Sequence, residues 1–398
     1  MKQYWQARWL LLIAFCGGLL GCTPQATRPP SSFPRRTVTV RENKRGVHLL
    51  LADTYADWPQ STWREHLQYA RDAVGEGGLV VQLIRLDDLE VDRWQLFMDL
   101  CAELGLTPMI RLATTPDPTI DGWNAPPQDR NGGYRSVAQQ YAQFLTELQW
   151  PTDEHFVIVG NEPNHGNEWG GVPNPSEYAR FLIDVADALH QSDPHAIVLN
   201  AGLDTFSPHS NGQPIGGGPP MIDAESFLDG MIAAQPHFFT YLDAWASHPY
   251  PLGAFIEPPE NQQFQVDYLN GATNSNAIVP PDGVFNRGVN GYTWELFKLA
   301  SYGVEELPVF ITETGWRHSE GGWISAEIAA QHLQDALCKQ TDAFQAWQYD
   351  ERVVAVVPFA FDGDPDRWSH SNWLLFNADK EIIGVTPLFE EWRDAPCQ

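Results

Sequence analysis

The sequence predicts an α/β protein built as a single (β/α)8 barrel, a TIM barrel, with extended loops after its fifth and sixth strands. Two observations indicate this fold: eight short apolar runs alternate with amphipathic stretches, and all of them lie between residue 46 and the end of the 398-residue chain. Such a barrel needs about 250 residues plus insertions. The alternative, an open doubly wound sheet, calls for a glycine-rich turn after the first strand, whereas residues 53–58 contain no glycine.

The predicted strands are apolar along most of their length, as is typical of parallel strands buried on both faces. We expect them at 46–52, 79–86, 107–112, 155–160, 196–201, 242–247, 307–312 and 353–361. Apolar residues at helical spacing predict the intervening helices, at 62–74, 91–104, 137–148, 176–190, 224–234, 292–301, 326–337 and 387–393. The surplus length lies in the loops 202–223 and 249–290, which should stand at the end of the barrel where active sites are found.

The first 22 residues are expected to lie outside the fold. Lys2 and Arg8 are basic, and residues 9–20 form an apolar run that is short for a membrane span. The run ends in Leu19-Leu20-Gly21-Cys22, which resembles the lipobox of bacterial lipoproteins, a class in which the chain is cut before the cysteine that carries the lipid. The resemblance implies a signal peptide at 1–21, lipidation of Cys22 and an extracytoplasmic, membrane-anchored protein. An ordinary secretory signal is the alternative interpretation.

Residues 22–45 are rich in Pro, Ser, Thr and Arg and predict a disordered tether ahead of a catalytic domain at 46–398. From residue 46 onward, 16 basic residues stand against 50 acidic ones. This negative charge argues against a nucleic-acid partner and leaves the lipid anchor as the expected contact with a membrane. The mature chain would keep Cys101, Cys338 and Cys397, which allow at most one disulfide and leave its pairing open. We expect a monomer.

Two glutamates end apolar strands. Glu162 follows the fourth strand and Glu313 follows the seventh, and a barrel brings strand ends to one rim. A pair of carboxylates, one protonated and one ionised, is the machinery of glycoside hydrolysis. A single glutamate of this kind is more often a salt-bridge partner, but the pair together with Asn161 and Tyr250 favours catalysis.

Three motifs together resemble clan A of the glycoside hydrolases, the retaining (β/α)8 enzymes that include cellulase-, mannanase- and xylosidase-type families. They are Asn161-Glu162-Pro163, His248-Pro249-Tyr250 and Thr312-Glu313-Thr314-Gly315, after the fourth, sixth and seventh strands. The resemblance covers residues 46–396. It implies an O-glycosyl hydrolase that cleaves a β-linked oligo- or polysaccharide by double displacement, with no cofactor and no metal.

The resemblance also implies roles for single residues. Glu162 matches the acid/base and Glu313 the nucleophile, and we predict about 5–5.5 Å between their carboxyl groups. Asn161 matches the residue that binds the sugar 2-hydroxyl, Tyr250 the donor to the nucleophile, and His248 a histidine of the same rim.

An arginine below the nucleophile is also implied: Arg85 fits that place, with Arg111 as the alternative. Many clan members end the eighth strand with a tryptophan that supports the sugar, whereas this chain has Phe359-Ala360-Phe361-Asp362. The candidates for such a platform are Trp316, Trp368, Trp373 and Phe361, with Trp123, Trp169 and Trp323 as further ones.

A non-catalytic glycan-binding lipoprotein on the same fold is the second hypothesis. The intact Glu162/Glu313 pair argues against it, since a pure binder has no need of both. A barrel enzyme of another class, such as an aldolase, would require a strand-end lysine or a glycine-rich phosphate loop after strands seven and eight. The glycan, its linkage and endo or exo action stay open, because loops determine them.

Overall fold

The computed structural model describes residues 27–394 and 397, apart from 262–286, 306, 320–322 and 342–344. At its centre lie eight parallel strands, each beginning within the range that the sequence predicts. They are β1 (Gly46–Leu49), β2 (Leu79–Arg85), β3 (Thr107–Ala113), β4 (His155–Val159), β5 (Ala196–Asn200), β6 (Trp245–Ser247), β7 (Val309–Ile311) and β8 (Val353–Val356).

The eight strands close into a ring. Strands β1 to β5 pair in sequence order, and so do β6 to β8. Two isolated parallel bridges join these sheets, one between Leu199 and Ala244 and one between Arg45 and Val356. The backbone pairing of the first and last strands continues beyond the bridge, because Phe361 N donates to His48 O at 2.9 Å. This arrangement is consistent with the predicted (β/α)8 barrel.

A helix packs outside the barrel after each strand. The helices are α1 (Gln60–Val74), α2 (Val91–Leu104), α3 (Arg135–Glu147), α4 (Pro175–Ser192), α5 (Ala224–Ala234), α6 (Gly291–Ser301), α7 (Ala326–Cys338) and α8 (Pro387–Asp394). Several begin at side-chain caps: Asn174 accepts a hydrogen bond from Glu177 N, and Ser325 accepts one from Ile328 N. Such a cap contributes about 1 kcal/mol.

Alternate residues of each strand belong to two separate apolar layers. In β3, Met109 lies in the cluster inside the barrel, whereas Ile110 packs between the strands and the helices. In β4, Phe156 and Ile158 lie inside and Val157 lies outside. A polar residue at an inward position near a strand's carboxyl end therefore reaches the mouth of the barrel.

The loops at the mouth carry short elements of their own. A two-stranded ribbon pairs Pro116–Asp117 with Gly122–Trp123 after β3, and another pairs Leu374–Phe376 with Ile382–Val385 after β8. One-turn helices and a 3-10 turn in these loops lie at Gly166–Glu168, Leu252–Phe255 and Pro365–Trp368, whereas the 3-10 turns Phe238–Tyr241 and Trp347–Tyr349 lie in the loops that precede β6 and β8. Of the extended loop after β6, residues 262–286 lie outside the described part of the chain.

Residues 27–45 differ from the predicted tether, because they lie against the barrel. Arg36 donates to carbonyls at the end of α4 and the start of β5. Lys44 donates to two carbonyls ahead of β8, at 3.1 and 2.8 Å. Val38 packs against the cluster inside the barrel. Composition suggested a solvated segment, but carbonyls at helix ends are partially negative and attract basic side chains.

The predicted signal peptide and Cys22 lie outside the described residues. Within the described ranges, no helix combines the length and the apolar character required to cross a bilayer. Cys338, at the end of α7, forms a disulfide with Cys397 near the chain's end, a pairing that the sequence left open. Cys101 is free and buried.

Candidate active site

A cavity of about 380 Å³ opens among the loops that follow the barrel strands. Its lining includes Glu162 and Glu313, the two predicted acids, and also Arg111, Asn161 and Tyr250. The residues that sequence analysis placed at the ends of β3, β4, β6 and β7 thus meet in one place.

Glu313 is nearly enclosed by hydrogen-bond donors. It lies just beyond β7, and 6% of its surface is exposed. Its Oε1 accepts a hydrogen bond from Arg111 Nη1, and its Oε2 accepts one from the Tyr250 hydroxyl at 3.2 Å. Two imidazoles lie slightly farther away: His48 Nε2 and His248 Nδ1 are each 3.8 Å from a Glu313 oxygen.

These neighbours lower the pKa of Glu313 to about 2. Burial acts in the opposite direction, but it is outweighed by the charges of His248 and Arg111, by His48 when that ring is protonated, and by the hydrogen bond from Arg111. Burial and the charge of Arg111 lower the pKa of His48 itself to about 3. At neutral pH His48 is therefore uncharged, and Arg111 is the permanent cation that keeps Glu313 ionised.

Tyr250 stays a hydrogen-bond donor across the working range of pH. Burial, together with the charges of Glu313 and Glu162, raises its pKa well above the usual value. The phenol therefore keeps its proton and donates a hydrogen bond to the Glu313 carboxylate.

Among the described residues, the side chain of Glu162 contacts a single donor, the ring of His248. His248 Nδ1 lies 2.9 Å from Glu162 Oε1. Burial disfavours the charged form of His248, but Glu313 and Glu162 together raise its pKa above the usual value. The backbone of Glu162 has φ +32°, in the left-handed region. For a residue other than glycine this conformation costs about 1–2 kcal/mol and is a feature of functional sites.

The two acids face the same small volume. One oxygen of Glu162, one oxygen of Glu313 and a ring nitrogen of His248 all lie within 4.8 Å of one another. Arg111 Nη1 also donates to Asn161 Oδ1 at 2.9 Å, so one guanidinium orients both Glu313 and the amide beside Glu162. The NH2 group of Asn161 remains available to a ligand.

No protein-family model matches the chain, and no curated protein matches it in sequence. Solved structures do match. A glucosidase from Croceicoccus marinus superposes with a TM-score of 0.55 at 12% identity, over 89% of this chain and 67% of that one. An exo-β-1,4-mannosidase from Opitutaceae bacterium strain TAV5 gives 0.50 at 18% identity, over 92% and 62%. The chain has a glycosidase fold.

This chain spans about two thirds of the length of those two proteins. At such identities the similarity establishes the glycosidase fold and extends to neither substrate nor mechanism. The resemblance of the sequence to clan A glycosidases is borne out at the level of the fold.

Of the two predicted arginines, Arg111 rather than Arg85 reaches Glu313. In the register of β2 and β3, Leu83 lies opposite Arg111, so Arg85 stands two residues farther along its strand. There Arg85 Nε donates to Asp87 Oδ1 at 3.1 Å, and its Nη1 donates to the main-chain oxygen of Asp53 at 3.4 Å. The assignment of Arg85 to Glu313 is wrong, because its position lies above the layer that Arg111 occupies.

Some of the predicted aromatic platforms line the cavity, and others are buried in the hydrophobic core. Trp316 and Trp368 line the cavity, and so does Phe359. Trp316 is almost fully buried, and its Nε1 donates to Glu257 O at 2.7 Å. Trp373 is not part of the cavity lining: it packs in the core against Phe361 and Trp392, with ring centroids 6.0 and 5.8 Å away.

Of the further candidates, Trp123 lines the cavity, whereas Trp169 packs in the core against Tyr178. Neither Trp373 nor Phe361 lines the cavity, so the prediction of these two residues as platforms is wrong. Phe359 lies beside the cavity instead. The eighth strand ends earlier than predicted, at Val356, which changes the residues that reach the mouth.

Several residues in the cavity or beneath it were not predicted. The only feature of the sequence that could have indicated His48 is that it is a polar residue within the otherwise apolar run of β1. His165 Nε2 pairs with Asp204 Oδ2 at 2.5 Å. Burial opposes the charge of this imidazole, but Asp204 raises its pKa to about 9. Burial and the charge of Glu162 raise the pKa of Glu168, a third carboxyl group in the cavity, to about 7.

The group formed by Glu162, His248 and Glu313 offers ligand atoms at distances that suit a metal ion. These atoms already have partners within the protein: Arg111 and Tyr250 donate to Glu313, and His248 contacts Glu162. A permanent guanidinium against Glu313 also opposes a second cation. The donor set therefore fits two hydrogen-bonded carboxyl groups better than it fits a metal centre.

Proposed function

We propose that the protein is a retaining β-glycosidase with Glu313 as nucleophile and Glu162 as acid/base. The observation that carries this proposal is the approach of the two carboxylates, whose nearest described oxygens lie within 4.8 Å. An inverting enzyme needs about 6.5–9.5 Å between its carboxyl groups to admit a water molecule, and a retaining one about 5–5.5 Å.

In the first step, an oxygen of Glu313 bonds to the anomeric carbon while the glycosidic C–O bond breaks. The departing oxygen takes the proton of Glu162. Arg111 and Tyr250 keep Glu313 ionised and aligned for this attack, and Asn161 is placed to bind the sugar 2-hydroxyl. This contact strengthens as positive charge develops on the ring.

In the second step, Glu162, now a carboxylate, removes a proton from water. The water oxygen bonds to the anomeric carbon, and the ester bond to Glu313 breaks. Two inversions give net retention. His248 holds the Glu162 carboxyl group through both steps by the contact at 2.9 Å.

Trapping with 2-fluoro aryl β-glycosides tests this proposal. Intact and peptide mass spectrometry should find one fluorosugar per chain, attached to Glu313. The Glu313→Gln protein should carry none, whereas Glu168→Gln, which alters a third carboxyl group of the same cavity, should still be labelled. Label on any other residue rejects the nucleophile assignment. A protein that binds glycans but never forms an adduct is the non-catalytic binder instead.

The stereochemistry of turnover gives an independent test. Proton NMR of the first-formed product should show the anomer that the substrate had. An initially inverted product excludes double displacement, even if the protein hydrolyses glycosides.

We also propose that the protein is extracytoplasmic and anchored to a bacterial membrane through lipidated Cys22. The disulfide between Cys338 and Cys397 supports an oxidising compartment. Labelling with an alkyne fatty acid in a bacterial host should modify the wild-type chain and leave Cys22→Ala unlabelled. Equal labelling of both proteins would reject the anchor at this residue.

A further inference from the structure

Arg317 lies in the same cavity as the two acids, four residues beyond Glu313. Its backbone N–H donates to Phe255 O at 3.0 Å, which fixes the chain at this point. The guanidinium carbon lies 4.7 Å from the centroid of the Phe255 ring and 5.1 Å from that of Trp323. Phe255 in turn packs against Tyr250, with ring centroids 4.6 Å apart. Two aromatic rings and the backbone thus hold the guanidinium beside the reacting pair.

This guanidinium has no acidic partner among the described residues. The other two cavity arginines differ: Arg111 pairs with Glu313, and Arg367 pairs with Asp121 at 3.2 Å. Within the described part of the chain, the guanidinium of Arg317 makes only its two ring contacts. In a chain with 51 acidic and 24 basic residues, a half-buried arginine without a carboxylate is unexpected. Burial lowers the pKa of Arg317, which reflects the cost of holding this charge without a counterion.

The described side chains packed around Arg317 are aromatic rings rather than carboxylates. His370, which also lines the cavity, stacks near Trp323 with ring centroids 6.3 Å apart. The carboxylate of Asp121 accepts from both Arg367 and Tyr55. This part of the cavity therefore presents guanidinium N–H donors and an imidazole to whatever occupies it.

We propose that the substrate carries a carboxylate, as in a glycan that contains uronic acid, and that Arg317 binds this group. The inference rests on the proposed glycosidase function and specifies the class of its substrate. A guanidinium matches a carboxylate with two parallel N–H···O hydrogen bonds, and a planar group fixed by aromatic rings loses little freedom in forming them. A sugar hydroxyl would accept one hydrogen bond but would leave the charge of Arg317 uncompensated.

Calorimetry on the Glu313→Gln protein, which should bind sugars without turnover, tests the inference. The probes are trisaccharides of β-1,4-linked glucuronate and mannuronate, each paired with its neutral counterpart, cellotriose or mannotriose. At least one acidic trisaccharide should bind about 10- to 100-fold more tightly than its neutral partner, as expected for a charge-assisted contact. Adding Arg317→Gln should abolish this preference, and Arg317→Lys should keep part of it.

Arg367→Gln is the matched control, because it removes a paired arginine from the same cavity and should leave the acid-over-neutral preference unchanged. Unaltered circular dichroism would verify that each variant is folded. The inference is overturned if the neutral sugars bind as tightly as the acidic ones, if Arg317→Gln weakens both kinds equally, or if none of the four probes binds.

Failure of this inference and failure of the proposed function give different results. Hydrolysis of neutral aryl glycosides that depends on Glu313 but not on Arg317 leaves the glycosidase intact and rejects only the acidic substrate. Tight binding of an acidic trisaccharide through Arg317, without any turnover by the wild-type protein, supports the carboxylate site and rejects the catalytic function.

Discussion

Replacing Arg111 by glutamine should move the ionisation of Glu313 into the acidic range where it can be measured. Glu313 has a pKa of about 2, against 4.5 for an ordinary glutamate. One unit of pKa corresponds to about 1.36 kcal/mol, so the native surroundings favour the carboxylate by about 3 kcal/mol. Removing Arg111 takes away a positive charge and a hydrogen bond that both oppose burial, so the pKa of Glu313 should return to about 4.5 although the charge of His248 remains.

The sign of the effect on stability follows from the same shift. A carboxyl group with a depressed pKa stabilises the folded protein above its unfolded pKa, and this contribution is lost as the pH falls through the folded one. In the wild type the contribution should decline between pH 4.5 and about 2. In Arg111→Gln it should already be missing at pH 7, a loss of about 3 kcal/mol, the size expected when a buried ion pair is broken.

The assays are urea unfolding from pH 3 to 8 and the pH dependence of kcat/KM over the range in which circular dichroism shows folded protein. The acidic limb of the kcat/KM profile of Arg111→Gln should lie at least two pH units above the acidic limb of the wild-type profile. Arg85→Gln is the control, because its guanidinium contacts Asp87 and not Glu313. An acidic limb at the wild-type pH in Arg111→Gln, or an equal shift in Arg85→Gln, would refute the electrostatic argument.

Three further predictions concern single contacts. Tyr250→Phe removes the donor 3.2 Å from Glu313 and should lower kcat about 10-fold, since a hydrogen bond to a charged group contributes about 1.5 kcal/mol or more; steady-state kinetics on an aryl glycoside measures it. Cys397→Ser opens a disulfide that spans 59 residues and should reduce the unfolding free energy by up to about 4 kcal/mol in urea titrations, with no further loss on adding reductant. Glu168 has a pKa raised to about 7, so wild-type stability should decline as the pH rises from 4.5 through 7, and Glu168→Gln should remove that decline in thermal unfolding curves.

The parts of the site that could be predicted are those that depend on strand ends. A buried parallel strand is apolar throughout, so a glutamate directly after it is conspicuous in the sequence, as at Glu162 and Glu313. The barrel then brings both to one rim, whatever the intervening loops do. The same reasoning located Asn161, His248 and Tyr250, all of which contact the two acids or line their cavity.

The parts that could not be predicted depend on how far along its strand a residue lies, which is its height within the barrel, or on contacts between loops. Arg85 and Arg111 both lie near strand ends, and only the pairing of β2 with β3 shows that Arg85 stands two residues higher. Trp373 and Trp368 are five residues apart, yet one is core and the other lines the cavity. No periodicity distinguishes such pairs, because the ribbon after β8 determines which side chain turns inward.

Residues 27–45 show a second limit of composition. Their prolines and arginines read as a solvated tether, but three of the basic side chains reach carbonyl groups around the amino ends of the strands, as Arg36, Arg41 and Lys44 do. The body of the protein is strongly acidic, so a basic segment has favourable partners nearby. A charge pattern therefore indicates order or disorder only when the charge of the surface beside it is known.

The unequal surroundings of the two acids match the movement of charge that double displacement requires. Before attack, the negative charge lies on Glu313, beside Arg111 and Tyr250. In the proposed covalent intermediate Glu313 would be an uncharged ester, and the charge would lie on Glu162, which would have given up its proton. His248 Nδ1 lies within 3.8 Å of Glu313 and 2.9 Å of Glu162, so one imidazole can stabilise the charge in both places. Its raised pKa follows from facing two carboxylates, and removing it should therefore slow both steps rather than one.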